Sequence, residues 1–380
     1  MNNSSSPSPT APIDADTPAS GIGTRYLLAP LLVGIPSLAL MVIVAGIEDL
    51  PIRDPDARYV GSPLALIALI VALFVLLDVI PRAVRQARAS AEVGFTDSVR
   101  RLFSERWWGR RGLIVLVCIL GFYATYLSYR NLKSFLPFAT DGTLHDAGLL
   151  DLDEAMFFGS QPANLMHDLL GTGISADVLS AVYLAFLTFV PVSLGVALVW
   201  SSRVAVGLWY VTSLALVWML GVLSYYLVPS LGPIYARPSL FSDLPTTGVS
   251  ELQATLLEHR GEVMADPNAT NAVQSIAGFA SLHIAVVMTA ALIAQLVGAP
   301  RLVRIGLWVF LGLTALATIY FGWHYVIDDV AGAAIALVGV YGGALMCGFR
   351  PPPFGRRAPD PGAAEGAQVA PQRLSGRSAG

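Results

Sequence analysis

Eight stretches of this chain are apolar over about the 20 residues a helix needs to cross a bilayer. They cover residues 26–47, 59–80, 112–129, 178–200, 204–228, 274–297, 303–321 and 325–348. Backbone groups find no water inside hydrocarbon, which favours helices as the spanning form. The expected fold is therefore all-α: a polytopic membrane helical bundle of about eight transmembrane helices. The composition agrees, with 55% hydrophobic and 13% charged residues and a mean hydropathy of +0.64. Cys118 and Cys347 both fall within apolar runs, an arrangement that supports neither a disulfide framework nor a metal site.

The basic residues orient the bundle. With the N-terminus in the cytoplasm, 17 Lys and Arg residues fall inside and 6 outside, and eight of the inside ones lie between Arg82 and Arg111. The positive-inside rule then gives N-in and C-in, which an even number of spans requires. The basic cluster follows a membrane span and reads as an orientation signal, so no nucleic-acid partner is expected. Residues 1–24 are rich in Ser, Pro and Thr and 349–380 in Pro, Gly, Ala and Arg; both read as disordered cytoplasmic tails. Between them lie two leading spans (25–81), a basic cytoplasmic linker (82–111) and six further spans (112–348). The linker reads as a helix along the membrane surface, with Trp107 and Trp108 near the interface. Two outside loops, 131–177 and about 229–273, are long enough to suggest function. Within them His145 and His167 lack a clear partner and read as surface residues.

Two histidines carry the chemistry. His283 follows Ala280-Ser281-Leu282, and His324 opens His324-Tyr325-Val326-Ile327-Asp328. The topology places His283 about two turns inside the sixth span and His324 at the start of the eighth, both on the outer side. Arg237, in the dense run Pro229-Ser230-Leu231-Gly232-Pro233-Ile234-Tyr235-Ala236-Arg237-Pro238, falls on the same side. His324 and Asp328 are four residues apart and are expected on one helix face, where the carboxylate orients the ring and frees its other nitrogen. His283 can protonate a leaving alkoxide. Arg237 and Ser281, with Tyr235 beside the arginine, are candidates for holding phosphate oxygens. These parts suit phosphoryl transfer through a phosphohistidine. A lone histidine at a span end is more often a satisfied interfacial residue; the joint placement on one side of the membrane argues otherwise.

At these residues the chain resembles the type 2 phosphatidic acid phosphatase superfamily. Arg237-Pro238 looks like the end of its first motif, Ser281-Leu282-His283 like its Ser-Gly-His, and His324 to Asp328 like its third. The resemblance covers roughly residues 112–348 and implies a six-helix phosphatase-like core. Ser230 stands where the first motif has Lys, and Thr318 where the third has Arg. That pattern is similar to the inositol phosphorylceramide synthase branch, as are Phe158-Gly159 with Pro162 and the Pro-rich run before Arg237. The resemblance implies His324 as nucleophile, Asp328 as its orienter, His283 as acid then base, and neither metal nor cofactor.

Two acceptors remain open: a lipid or sugar hydroxyl in a transferase, or water in a phosphatase acting on a lipid phosphate or polyprenyl (di)phosphate. A lipid-phosphate transporter or a non-catalytic binder are readings of another class. Transport is disfavoured because the polar residues gather at one membrane face, away from the midplane where transporter sites lie. Twenty-two arginines against one lysine suggest a GC-rich genome, and hence a bacterial plasma membrane with the site facing outside. Membrane lipids and a lipid phosphate are the expected partners.

Overall fold

The computed structural model describes residues 16–53, 63–89, 94–200 and 203–350. Most of the two expected tails lies outside the described residues. Helices α1 (Ala29–Ile47), α2 (Pro63–Ala89), α3 (Phe95–Arg106) and α4 (Arg110–Ala139) lead the chain. Helices α5 (Asp146–Met156) and α6 (Pro162–Leu170) are short; α7 (Ile174–Gly195) and α8 (Val204–Leu227) are long. Then come α9 (Gly248–Ala265), α10 (Leu282–Leu296), α11 (Arg301–Tyr320) and α12 (Val326–Met346). The chain is an all-α polytopic membrane bundle, and no sheet forms among the described residues.

Six of these helices, α1, α4, α7, α8, α11 and α12, are long and apolar enough to cross a bilayer. Six of the eight expected spans are met among the described residues; the full count of eight is not shown. Of the span expected at 59–80, residues 59–62 lie outside the described residues and the rest begins α2, where Asp78 is the one charged residue up to Ile80. The span expected at 274–297 shrinks to the 15 residues of α10. The physical reason lies in residues 278–281, whose amides are bonded outside any helix. Gly278 N donates to Ser230 O, Phe279 N to Ser230 Oγ, Ala280 N to Ser224 Oγ and Ser281 N to Asp328 O. Helix α10 therefore starts late, capped by the Ser281 hydroxyl, which accepts from Ile284 N.

Helix α8 is apolar all round and is the most enclosed of the long helices, as a central helix must be. It packs on α4, α12, α10 and α1. Its Trp209 is fully buried and donates through Nε1 to Val340 O across the α8–α12 seam at 2.8 Å. The two expected outside loops are largely helical. The first becomes the end of α4 followed by α5 and α6; the second contains a single turn at Pro233–Ala236, a 3-10 turn at Pro238–Phe241, and α9. Helix α9 begins with a reciprocal cap between Thr247 and Ser250.

Helices α10 and α12 carry the two histidine motifs and touch at Gly332. A Cβ there would lie 2.3 Å from Ser281 O. Close approach of small residues is a common way for membrane helices to pack. Gly332→Ala is expected to wedge the two helices apart and lower stability by roughly 1–3 kcal/mol, the usual range for overpacking. Thermal unfolding in detergent reads this directly; an unchanged midpoint would show that the seam has slack.

Candidate active site

The site forms where the starts of α10 and α12 meet. Helix α12 begins at Val326, so His324 precedes it, and the expectation of a shared helix face is corrected. The pair meets because Asp328, in the first turn, reaches back. Its Oδ2 accepts from Tyr325 N at 3.0 Å and lies 3.4 Å from His324 Nδ1. His283 is the second residue of α10, not two turns inside a helix. Its Nδ1 lies 3.0 Å from His324 Nε2.

With Asp328 ionised, one set of proton positions satisfies both contacts. An Asp328 carboxylate can only accept, so it takes the Nδ1–H of His324 and leaves Nε2 with a lone pair. His283 must then donate its own Nδ1–H to that lone pair. The Nε2 lone pair is thus unprotonated and aimed at the partner that can later supply a proton. His324 is 4% exposed and Asp328 is fully buried. The His283 ring lies between Tyr183 and Phe186 of α7, with centroids 4.9 and 4.5 Å away. Trp323 stacks on Tyr183, closing the wall beside His324.

A second layer holds the His324 loop. Gly322 takes φ +66° and turns the chain out of α11. The Pro-rich run packs against that turn: Ile234 N donates to Gly322 O at 2.9 Å. Asp146, at the start of α5, ties the two together. Its carboxylate accepts from Leu231 N at 3.0 Å, Gly232 N at 2.9 Å and the Tyr325 hydroxyl at 2.8 Å. Seven residues on, Asp153 accepts from Val326 N at 3.2 Å. Two turns of one face of α5 thus bind the start of α12.

Both histidines line a cavity of about 390 Å³, walled chiefly by aromatic and aliphatic side chains of α4, α7 and α8. A family model described as the PAP2 superfamily matches residues 147–342, just over half of the chain. The chain belongs to the PAP2 superfamily. No curated protein and no solved structure matches it. Membership in this superfamily of type 2 phosphatidic acid phosphatases supports a phosphatase or phosphotransferase role at the level of the superfamily. It makes the chain a membrane-embedded protein acting on lipid or phosphate substrates in general.

Of the residues singled out in the sequence, this PAP2 site brings together His283, His324 and Asp328. Arg237 is exposed and lies outside the cavity wall, as does Tyr235, whose hydroxyl donates to Gln253 O. Ser281 is fully buried, and its hydroxyl caps α10. Thr318 donates to Asp329 Oδ2 at 3.3 Å, and Ser230 Oγ accepts from Phe279 N. Both hydroxyls are thus bonded inside the protein. His145 is exposed, as expected, but His167 is half-buried, with Nε2 2.8 Å from Tyr320 O and its ring against Phe241.

Sequence reasoning missed Asp146, Asp153, Arg130 and Lys133. The seven-residue spacing of the two aspartates was the available signal, since it puts them on one helix face. The cations carried another, because Lys133 is the lone lysine of the chain.

Asp153 is 2% exposed, and burial pushes its carboxyl up to about 6; the negative charge of Asp328 adds to the rise and the Val326 N–H opposes it. A carboxyl raised on folding contributes stability that is fully present below its unfolded value and is lost as pH rises through the folded one. Asp153→Asn keeps an acceptor for Val326 and removes the buried charge. It is expected to raise the unfolding midpoint at about pH 8 by ~1–2 kcal/mol of stability and to leave it unchanged near pH 4. An equal shift at both pH values would detach the effect from ionisation.

Proposed function

We propose that this chain is a membrane phosphotransferase that acts on lipid phosphate or phospho-head-group substrates through a phosphohistidine at His324. The observation that carries the reading is the continuous relay from Asp328 through His324 to His283 at the wall of an apolar cavity. In the first step the His283–His324 contact opens to admit phosphorus. His324 Nε2 attacks it, the bond from phosphorus to the leaving oxygen breaks, and His283 gives that oxygen its proton. Asp328 holds the developing imidazolium. In the second step His283 takes the proton of an acceptor hydroxyl, whose oxygen attacks phosphorus, and the P–N bond breaks. Nothing in this sequence requires a metal.

The inositolphosphotransferase-like branch is the finer reading. It is supported by Leu282, which takes the place of the motif glycine and packs into space left by Gly221, where a Cβ would meet the leucine side chain. Ser230 and Thr318, bonded internally in place of cations, support it too. The apolar walls favour an alcohol acceptor over water by limiting hydration. An outer-face site in a plasma membrane is supported by the positive-inside count over the eight spans expected from the sequence. On this reading the domain boundary of the catalytic unit stays at 112–348.

The test is phosphorus-31 NMR of the purified protein with lipid phosphates and phosphoinositides, with and without alcohol acceptors. A new phospholipid without free phosphate supports the transferase. Free phosphate in the presence of acceptor supports the phosphatase instead. EDTA is expected to leave the rate unchanged, and a loss restored by added metal would sink the metal-free route.

A further inference from the structure

The cavity that holds the histidines has two chemically distinct parts. Its cations both come from α4: Arg130 and Lys133 line it, and no Asp or Glu does. Lys133 Nζ lies 5.7 Å from the ring of Tyr129 and 4.9 Å from that of Tyr225. It is 3.4 Å from the Tyr129 hydroxyl, and among the described residues it makes no carboxylate pair. Arg130 Nε is shielded from solvent and has no hydrogen-bond partner among the described residues. Guanidinium and ammonium groups without a carboxylate, inside a mostly aromatic chamber, are matched by an anion.

The rest of the cavity is apolar. Phe122 and Tyr126 of α4 face Leu187, Val190 and Leu194 of α7 across it, with Trp218 of α8 behind. Helix α4 packs on α1 and α8, whereas α7 packs on α11. The cavity occupies the space between α4 and α7. Leu187 lines it and is 52% exposed. Its volume of about 390 Å³ is in the range of small-ligand sites, about 300–1,000 Å³, and suits part of one lipid chain.

We propose that Lys133 and Arg130 are the phosphate anchors of this site and that the trough between α4 and α7 holds the substrate's hydrocarbon chain. The ligand is an anionic phosphate amphiphile. This deepens the phosphotransferase reading and rests on it for the site, but it assigns residues of α4, which lie before the matched superfamily region. The charge of the anchors, the absence of acidic lining residues and the apolar trough all select the same occupant.

The test is binding, so that it does not depend on turnover. Full-length His324→Asn protein in detergent is titrated with dodecyl phosphate, with dodecanol and inorganic phosphate alongside. Dodecyl phosphate is expected to bind at least about 10-fold more tightly than either half-ligand. Lys133→Ala and Arg130→Ala are each expected to weaken it about 10-fold or more, the scale of a lost charge-assisted contact. Lys133→Arg is expected to restore most of the loss, which separates charge from fold. Leu187→Trp is expected to weaken dodecyl phosphate while sparing butyl phosphate. Unchanged affinity in both alanine variants, with unfolding midpoints preserved, would overturn the anchors. Equal binding of inorganic and dodecyl phosphate would overturn the trough. Binding that needs Lys133, together with wild-type protein that shows no turnover, would leave this inference standing and remove the catalytic one. Turnover indifferent to both cations would do the reverse.

Discussion

Replacing His324 with asparagine is expected to abolish turnover while leaving the fold intact. Asparagine keeps a polar group for Asp328 Oδ2 to bond and fits the space at a residue that is only 4% exposed. It lacks the nitrogen lone pair that would attack phosphorus, and the neighbouring His283 has no carboxylate to orient it in that role. Deleting a nucleophile from a cooperating set lowers kcat by on the order of 10⁴-fold or more. Asp328→Asn should fall less far, because the nucleophile survives but loses the group that sets its tautomer. Acid-labile label should accumulate on wild-type protein quenched during turnover and be absent from the His324→Asn variant. A His324→Asn protein retaining even a hundredth of the wild-type rate would rule out the phosphohistidine.

The same set explains why the two histidines stand out in the sequence. His324 and Asp328 are close in the chain, so their pairing is visible as a spacing even though the helix between them starts later than expected. His283 is legible through topology: two successive apolar runs must reverse direction, which returns position 283 and position 324 to one face. What spacing could not show was how the chain reaches that face. Residues 278–281 look apolar enough to continue a span, but their amides bond to Ser224, Ser230 and Asp328 from distant segments. Those partners are set by tertiary packing, which hydropathy does not encode. The cations follow the same logic. Arg237 is near a recognisable motif in sequence and exposed in space; Arg130 and Lys133 lie far from every motif, yet α4 delivers them to the cavity wall. The bundle, likewise, is legible as all-α and polytopic from apolar runs alone. The length of each helix is not, because the residues before the late start of α10 look like part of a span in a sliding window.

Asp146→Ala is expected to have the largest effect on stability, about 3–5 kcal/mol, although Asp146 touches neither histidine. Its carboxylate is the shared acceptor for Leu231 N, Gly232 N and the Tyr325 hydroxyl, and it is 7% exposed. Alanine leaves these donors buried without a partner, and each such group costs about 1–3 kcal/mol. It also removes the charge opposite Arg260, a half-buried guanidinium whose pKa is lowered by burial and raised by Asp146. Tyr325 is fully buried next to His324, so loosening its hydroxyl anchor frees the nucleophile's loop. Activity should therefore fall with stability, and mainly through kcat, since the proposed anchors Arg130 and Lys133 lie on α4 and not among the groups that Asp146 holds. Asp146→Asn keeps one acceptor oxygen and is expected to recover part of both losses. Tyr325→Phe removes one of the three donors and should be milder. The double variant Asp146→Ala with Tyr325→Phe should lose less than the sum of the two, because the phenol no longer needs its acceptor. Strict additivity in that cycle would mean that the Asp146–Tyr325 contact transmits nothing to the site, and Asp146 would be a brace for the Pro-rich run alone.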